Sequence, residues 1–141
     1  MIEWDKCAKH FIREAEMDEF RIKSMVERAL QREKLTDNIT ENETNISFIA
    51  EGYYEVIKEL LVAYMLNNCF RARNHQCLIA FFHKNNPEQE NITFLIERLL
   101  YFRNRLNYYG ESIPAMFFEK NKADIKAAIK LIKKLIKIRN S

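Results

Sequence analysis

Apolar residues recur at helical steps over most of this chain. Trp4, Ala8, Phe11, Ala15, Ile22, Met25 and Ala29 follow one another at steps of three, four or seven, and Ile12 and Val26 widen the stripe. The pattern predicts a first helix from about Glu3 to Leu35. Thr36 to Asn45 is polar and reads as a loop. A second helix is predicted from about Ile46 to Cys69, with Asn45 or Thr44 as its N-cap. Ile49, Tyr53, Val56, Ile57, Leu60, Leu61 and Tyr64 cover a wide arc of it, as in a helix at the centre of a bundle. A shorter third helix covers about Asn74 to Lys84. Asn86 and Pro87 then supply a cap and a first helical residue for a fourth, which runs to Tyr109. Gly110 suits the position after its end, and Pro114 prevents continuation. The fifth helix runs from about Glu119 to Ile138, with Ile125, Ala128, Ile129, Ile132 and Ile136 inward. Four long helices and one short one imply an all-α fold, an antiparallel four-helix bundle with one extra short helix, as a single domain over residues 1–141.

Composition sharpens this picture. Two glycines and two prolines in 141 residues leave too few turn residues for a β-sandwich or barrel. They also exclude glycine-rich phosphate loops. No apolar stretch approaches the roughly 18 residues of a membrane span. The opening Met1-Ile2-Glu3-Trp4-Asp5-Lys6 does not read as an export signal, so a cytoplasmic location and no membrane partner are expected. Cys7, Cys69 and Cys77 form an odd set without a CxxC pair, which fits three reduced thiols. The four Asn-x-Ser/Thr triplets, beginning at Asn38, Asn42, Asn45 and Asn91, read as chance in an asparagine-rich chain. Cys69, His75, Cys77 and His83 have spacings unlike those of zinc sites, and neither a metal nor a cofactor is expected.

The net charge of +3 hides an asymmetry. The segment from Lys120 to Ser141 carries +7, and the rest of the chain −4. Lys126, Lys130, Lys133 and Lys137 form a stripe opposite the apolar face of the last helix, the candidate contact for a nucleic-acid backbone. Such a stripe is also the ordinary solvated face of a bundle helix.

The densest local pattern closes the fourth helix: Tyr101-Phe102-Arg103-Asn104-Arg105-Leu106-Asn107-Tyr108-Tyr109-Gly110. Together with Tyr54-Glu55-x-x-Lys58-Glu59-Leu60-Leu61, His75 and Leu78-Ile79, it resembles the HEPN family of nucleotide-binding helical bundles over about Gly52 to Ile136. Arg103 and Asn104 match the start of that family's signature, and Tyr108 or Tyr109 falls where the family has histidine. The resemblance implies RNA or nucleotide binding in a toxin–antitoxin or defence setting, a homodimer, and a possible nucleotidyltransferase partner. In the family's metal-independent RNA cleavage, an arginine neutralises the scissile phosphate and a neutral histidine takes the 2′-hydroxyl proton. Tyrosine ionises near pH 10 against about 6.5 for histidine, so Tyr108 makes a poor general base and weak or absent catalysis is expected.

Two other readings stand beside this one: a structural or protein-binding bundle without nucleotide, and a metal-independent endoribonuclease. Arg103 also has Glu97 and Glu111 as candidate salt-bridge partners. His75, near the junction of the second and third helices, has a capping role available to it.

Overall fold

A computed structural model describes residues 3–136. Lys137, the last of the four stripe lysines, lies outside the described residues. The described chain is mostly helical, with six α-helices and one two-stranded ribbon: α1 (Trp4–His10), β1 (Ile12–Glu14), α2 (Glu19–Asp37), α3 (Ile46–Asn67), β2 (Phe70–Ala72), α4 (His75–Asn85), α5 (Glu90–Tyr109) and α6 (Ala115–Leu135). No described helix is long and apolar enough to cross a membrane.

α3 is the hub, packed against α2, α4, α5 and α6. Its wide apolar arc explains this position: Ile49, Tyr53, Val56, Ile57, Leu60, Leu61, Ala63 and Met65 are all buried, in one core shared with residues of α2, α4, α5 and α6. Burying each large side chain contributes about 1.5–3 kcal/mol before entropy is counted. Gly52 allows α2 to approach closely, since a Cβ there would lie 2.9 Å from Oγ1 of the buried Thr36. That hydroxyl in turn donates to the Arg32 carbonyl at 2.8 Å.

The expected first helix is broken in two. Ile12–Glu14 leaves the helical path to pair antiparallel with Phe70–Ala72, with Ile12 opposite Ala72 and Glu14 opposite Phe70. Helix resumes at Glu19, capped by Asp18, whose carboxylate accepts from the Arg21 amide at 3.0 Å. The periodicity across Phe11 and Ile12 is genuine, but those side chains face a cross-strand partner and a small satellite core with Trp4 and Ala72 instead of a continuous helix interface.

That ribbon sets α1 beside α4 and brings Cys7 to Cys77, which form a disulfide across 70 residues of sequence. The expectation of three reduced thiols is therefore corrected: Cys69 alone is free, exposed, and in a left-handed conformation at φ 66° where α3 turns into β2. Sequence spacing carried no sign of the pairing, because the ribbon that creates it is a tertiary contact.

The other boundaries differ less. Asn74 caps α4, its side chain accepting from the Cys77 amide at 2.8 Å. Asn86 does not cap through its side chain. It is buried, donating to the Tyr64 hydroxyl and the Phe82 carbonyl at 3.0 Å each. A 3₁₀ turn at Pro87–Gln89 precedes α5. Gly110 ends α5 at φ 66°, and the Ser47 hydroxyl accepts from the Ile113 amide at 2.8 Å to tie the next loop to α3. α6 begins at Ala115, directly after Pro114.

The basic stripe divides on folding. Lys126 donates to Glu33 at 2.7 Å and to both Asp37 carboxylate oxygens at 2.7 and 2.8 Å, clamping α6 onto α2. Asp37 also accepts from the Tyr53 hydroxyl at 2.6 Å. Burial alone would raise the Asp37 pKa, but the hydrogen bonds from Lys126 and Tyr53 hold it below the usual carboxylate value. Lys122 pairs with Glu41. Lys130 and Lys133 remain exposed. Replacing Lys126 by methionine is expected to cost about 1 kcal/mol of stability, while Lys130→Met stays within about 0.5 kcal/mol. Urea denaturation of the two variants checks this contrast.

Candidate functional site

The polar residues of α3 are few, and three of them, Tyr54, Glu55 and Lys58, fall on neighbouring positions of a helix otherwise devoted to the core. Residues three and four apart share a helix flank, as Lys58 does with Glu55 and Tyr54. Glu55 and Lys58 pair across one turn at 2.8 Å. Tyr54 is buried and turns its hydroxyl to His75 Nδ1 at 2.7 Å, with the two rings stacked at 5.8 Å between centroids and 14° between planes. His75 is the first residue of α4, directly after the Asn74 cap, so the chain entering that helix delivers the imidazole onto Tyr54.

α5 supplies the cation. The Arg103 guanidinium lies 5.9 Å from the centre of the Tyr54 ring. Its Nη2 stands 3.5 Å from Glu55 Oε1, and its Nη1 donates to Asn104 Oδ1 at 3.2 Å. Its Nε is buried without a partner. Arg103 thus pairs with Glu55, not with either acid near it in sequence. Tyr54, Glu55, Lys58, His75, Arg103 and Asn104 form one half-buried cluster where α3, α4 and α5 meet.

The charges in this cluster act on one another. His75 is held below the ordinary imidazole pKa, first by burial, then by the positive charges of Arg103 and Lys58, with Glu55 opposing. The positive end of α4 works in the same direction. Burial raises the Glu55 pKa, but Lys58, Arg103 and His75 outweigh it and keep the carboxyl ionised below its usual range. Tyr54 is pushed above the ordinary phenol value by burial, against the lowering effect of Arg103. At neutral pH the cluster therefore holds a neutral imidazole, an ionised carboxylate, an un-ionised phenol and two cations. When His75 Nδ1 donates to the phenol oxygen, its Nε2 presents a lone pair; when Nδ1 accepts, Nε2 presents a proton.

A depressed histidine pKa has a defined effect on stability. The unfolded chain takes up the His75 proton near pH 6.5 and the folded chain only at lower pH, so stability is fully present above about pH 6.5 and falls as pH drops below it. A His75→Gln variant is expected to lose less stability between pH 7 and pH 5 than the parent. Urea midpoints at the two pH values read the difference.

The other sequence candidates lie apart from this cluster. Tyr108 and Tyr109 are exposed. Arg105 stacks over Tyr109 at 4.9 Å and grips Glu111 through two hydrogen bonds of 2.5 Å, which fastens the end of α5. Of the stripe lysines, Lys126 is engaged by α2, and Lys130 and Lys133 face solvent. The ring that meets Arg103 at Tyr54 is His75, not Tyr108. The usable signal was the run of polar residues interrupting an apolar helix, together with the short α3–α4 connection that returns His75 to it. Cys77 is engaged in the disulfide, and no group of three or more metal-ligating side chains occurs among the described residues.

Fold and site together define a mostly helical protein with a half-buried arginine–histidine–carboxylate cluster at a three-helix junction. The chain matches no known protein family, no curated protein and no solved structure.

Proposed function

We propose that this chain is a HEPN-like helical module, an antiparallel four-helix bundle with an extra short helix, that binds the phosphate of RNA or a nucleotide. The observation that carries this reading is the meeting of Arg103 and His75 on Tyr54, with Lys58 and Asn104 beside them. A guanidinium, an ammonium and an amide are the donors a phosphate group takes. Glu55 holds them in place while the ligand is absent. Lys130, Lys133 and Lys137 add long-range attraction for a polyanion. A toxin–antitoxin or defence setting and a nucleotidyltransferase partner belong to the same reading. So does a homodimer, for which exposed Phe94 and Tyr108 on α5 are the apolar surface to be covered. The test is fluorescence anisotropy with labelled single-stranded RNA. Affinity falls steeply between 50 and 200 mM salt if phosphate contacts carry it, about one logarithmic unit of slope per contact. Salt-independent affinity, or none, removes the reading.

A second reading, metal-independent RNA cleavage, is favoured by one observation: His75 supplies the neutral imidazole that Tyr108 lacks. A base within reach of the 2′-hydroxyl and a fixed cation at the phosphate are what such a reaction needs. Cleavage in the presence of a chelator that disappears in His75→Ala and persists in Tyr108→Phe supports it.

A further inference from the structure

Between α4 and α5 lies a cleft of about 200 Å³ lined by Gln76, Ile79, Glu97, Leu100, Tyr101 and Asn104. It adjoins the Arg103 cluster on two sides: Gln76 follows His75 on α4, and Asn104 holds Arg103 Nη1. Its volume is below the roughly 300–1,000 Å³ of sites that enclose a drug-sized ligand, so it suits one ring system rather than a whole nucleotide. Buried Ile79 and Leu100 make an apolar floor, and half-exposed Tyr101 offers an aromatic face at the rim.

The Glu97 carboxylate gives the cleft its chemistry. Its Oε1 is buried without a hydrogen-bond partner. A buried acceptor left unpaired is costly, and a carboxylate more so than a neutral group. Neither arginine near it in sequence relieves it: Arg103 turns to Glu55 and Asn104, and Arg98 lies over the Phe117 ring at 4.7 Å. No donor among the described residues therefore reaches Glu97 Oε1.

We propose that this cleft receives a guanine-type base, toward which the Glu97 side chain turns so that its carboxylate accepts hydrogen bonds from the ring N1–H and the exocyclic 2-amino group, beside the phosphate site formed by Arg103. Of the common bases, guanine alone places two adjacent donors on that edge. Adenine and cytosine set an unprotonated ring nitrogen next to their amino group, and uracil flanks its N3–H with two carbonyl oxygens; each turns lone pairs toward the carboxylate. Gln76 and Asn104 have amide donors for the base's carbonyl oxygen and N7, Asn104 keeping its NH₂ because its oxygen already accepts from Arg103. Tyr101 stacks on the exposed ring face. This assignment rests on the phosphate-binding reading for its place in a nucleotide, but the base contact stands on Glu97 and the cleft.

The test is isothermal titration calorimetry of the full chain with guanosine, GMP, IMP, AMP, CMP, UMP and inorganic phosphate. GMP is expected to bind about tenfold to hundredfold more tightly than AMP, CMP or UMP, with IMP, which lacks the 2-amino group, in between. Glu97→Gln is isosteric and is expected to abolish the guanine preference while leaving affinity for inorganic phosphate and the circular dichroism spectrum unchanged. Tyr101→Ala, at the exposed rim, weakens every purine alike. Equal binding of all four nucleotides, or an unchanged preference in Glu97→Gln, overturns the base assignment and leaves the phosphate reading intact. Glu97-dependent binding of guanosine without any affinity for inorganic phosphate overturns the phosphate reading and keeps the base site. Absence of binding by every probe overturns both.

Discussion

Arg103→Ala is expected to weaken binding of single-stranded RNA by about tenfold to hundredfold, the range set by loss of one charge-assisted hydrogen-bonding group. The argument starts from position. Among the described residues, Arg103 brings the only guanidinium to the Tyr54–Glu55–His75 cluster, its Nη atoms held by Glu55 and Asn104. It is therefore placed before a phosphate arrives. Arg103→Lys restores the charge without the planar fork and recovers only part of the loss. Removing the guanidinium also frees Glu55 from one of two cations, but the Lys58 pair at 2.8 Å remains, so the folded state persists. The same anisotropy titration at two salt concentrations checks the result, and the salt slope falls by about one unit in the alanine variant. An alanine variant that binds as the parent does places the phosphate elsewhere, with Lys130 and Lys133 as the next surface to neutralise.

Removing the disulfide is the second large effect. In the chain-entropy account, a bond closing a loop of this length restrains the unfolded chain by about 4 kcal/mol, and the double replacement Cys7→Ser with Cys77→Ser loses that amount. Both cysteines are fully buried in a satellite core with Ala80, flanked by Trp4, Phe11, Ile12 and Ala72. Apart from the disulfide, α1 is held by Trp4, which packs on Phe81 at 5.9 Å and under Lys84 at 4.3 Å, so the short helix and the ribbon are the first parts to loosen. Urea denaturation of the parent with and without reductant, and of the double serine variant, measures the loss. A thiol count in denaturant without reductant gives one free thiol, Cys69, if the bond is formed, and three if it is not. Because Cys77 lies two residues after His75 on α4, the reduced protein also tests how firmly the start of α4 holds His75 on Tyr54.

Local physics made much of this molecule readable in advance. Periodic apolar positions in α3, α5 and α6 require helices with one buried face, and no neighbouring element is needed to see that. Gly110 at the end of α5 is a backbone requirement met by a single residue. Arg103 and Asn104 stood out through the resemblance of the end of α5 to a family signature.

What could not be read depends on contacts between distant residues. A strand of three residues has too few positions for alternation to declare it, and Ile12–Glu14 exists because Phe70–Ala72 is there to pair with it. The disulfide follows from that pairing. Lys126 looked like part of a free cationic stripe, because the acids that engage it come from α2, about ninety residues earlier. The histidine beside Arg103 was sought within one helix, at Tyr108, whereas the fold delivers it from α4.

The amino-acid sequence by itself determined that this protein is helical, where most helices start and stop, and which faces are apolar, since those properties arise from neighbours three and four residues apart. Only the tertiary structure decided which polar side chains meet. Charge, burial and hydrogen-bond geometry act across a few ångströms of space, and the residues that share that space at Tyr54 come from three helices up to about fifty positions apart in the chain.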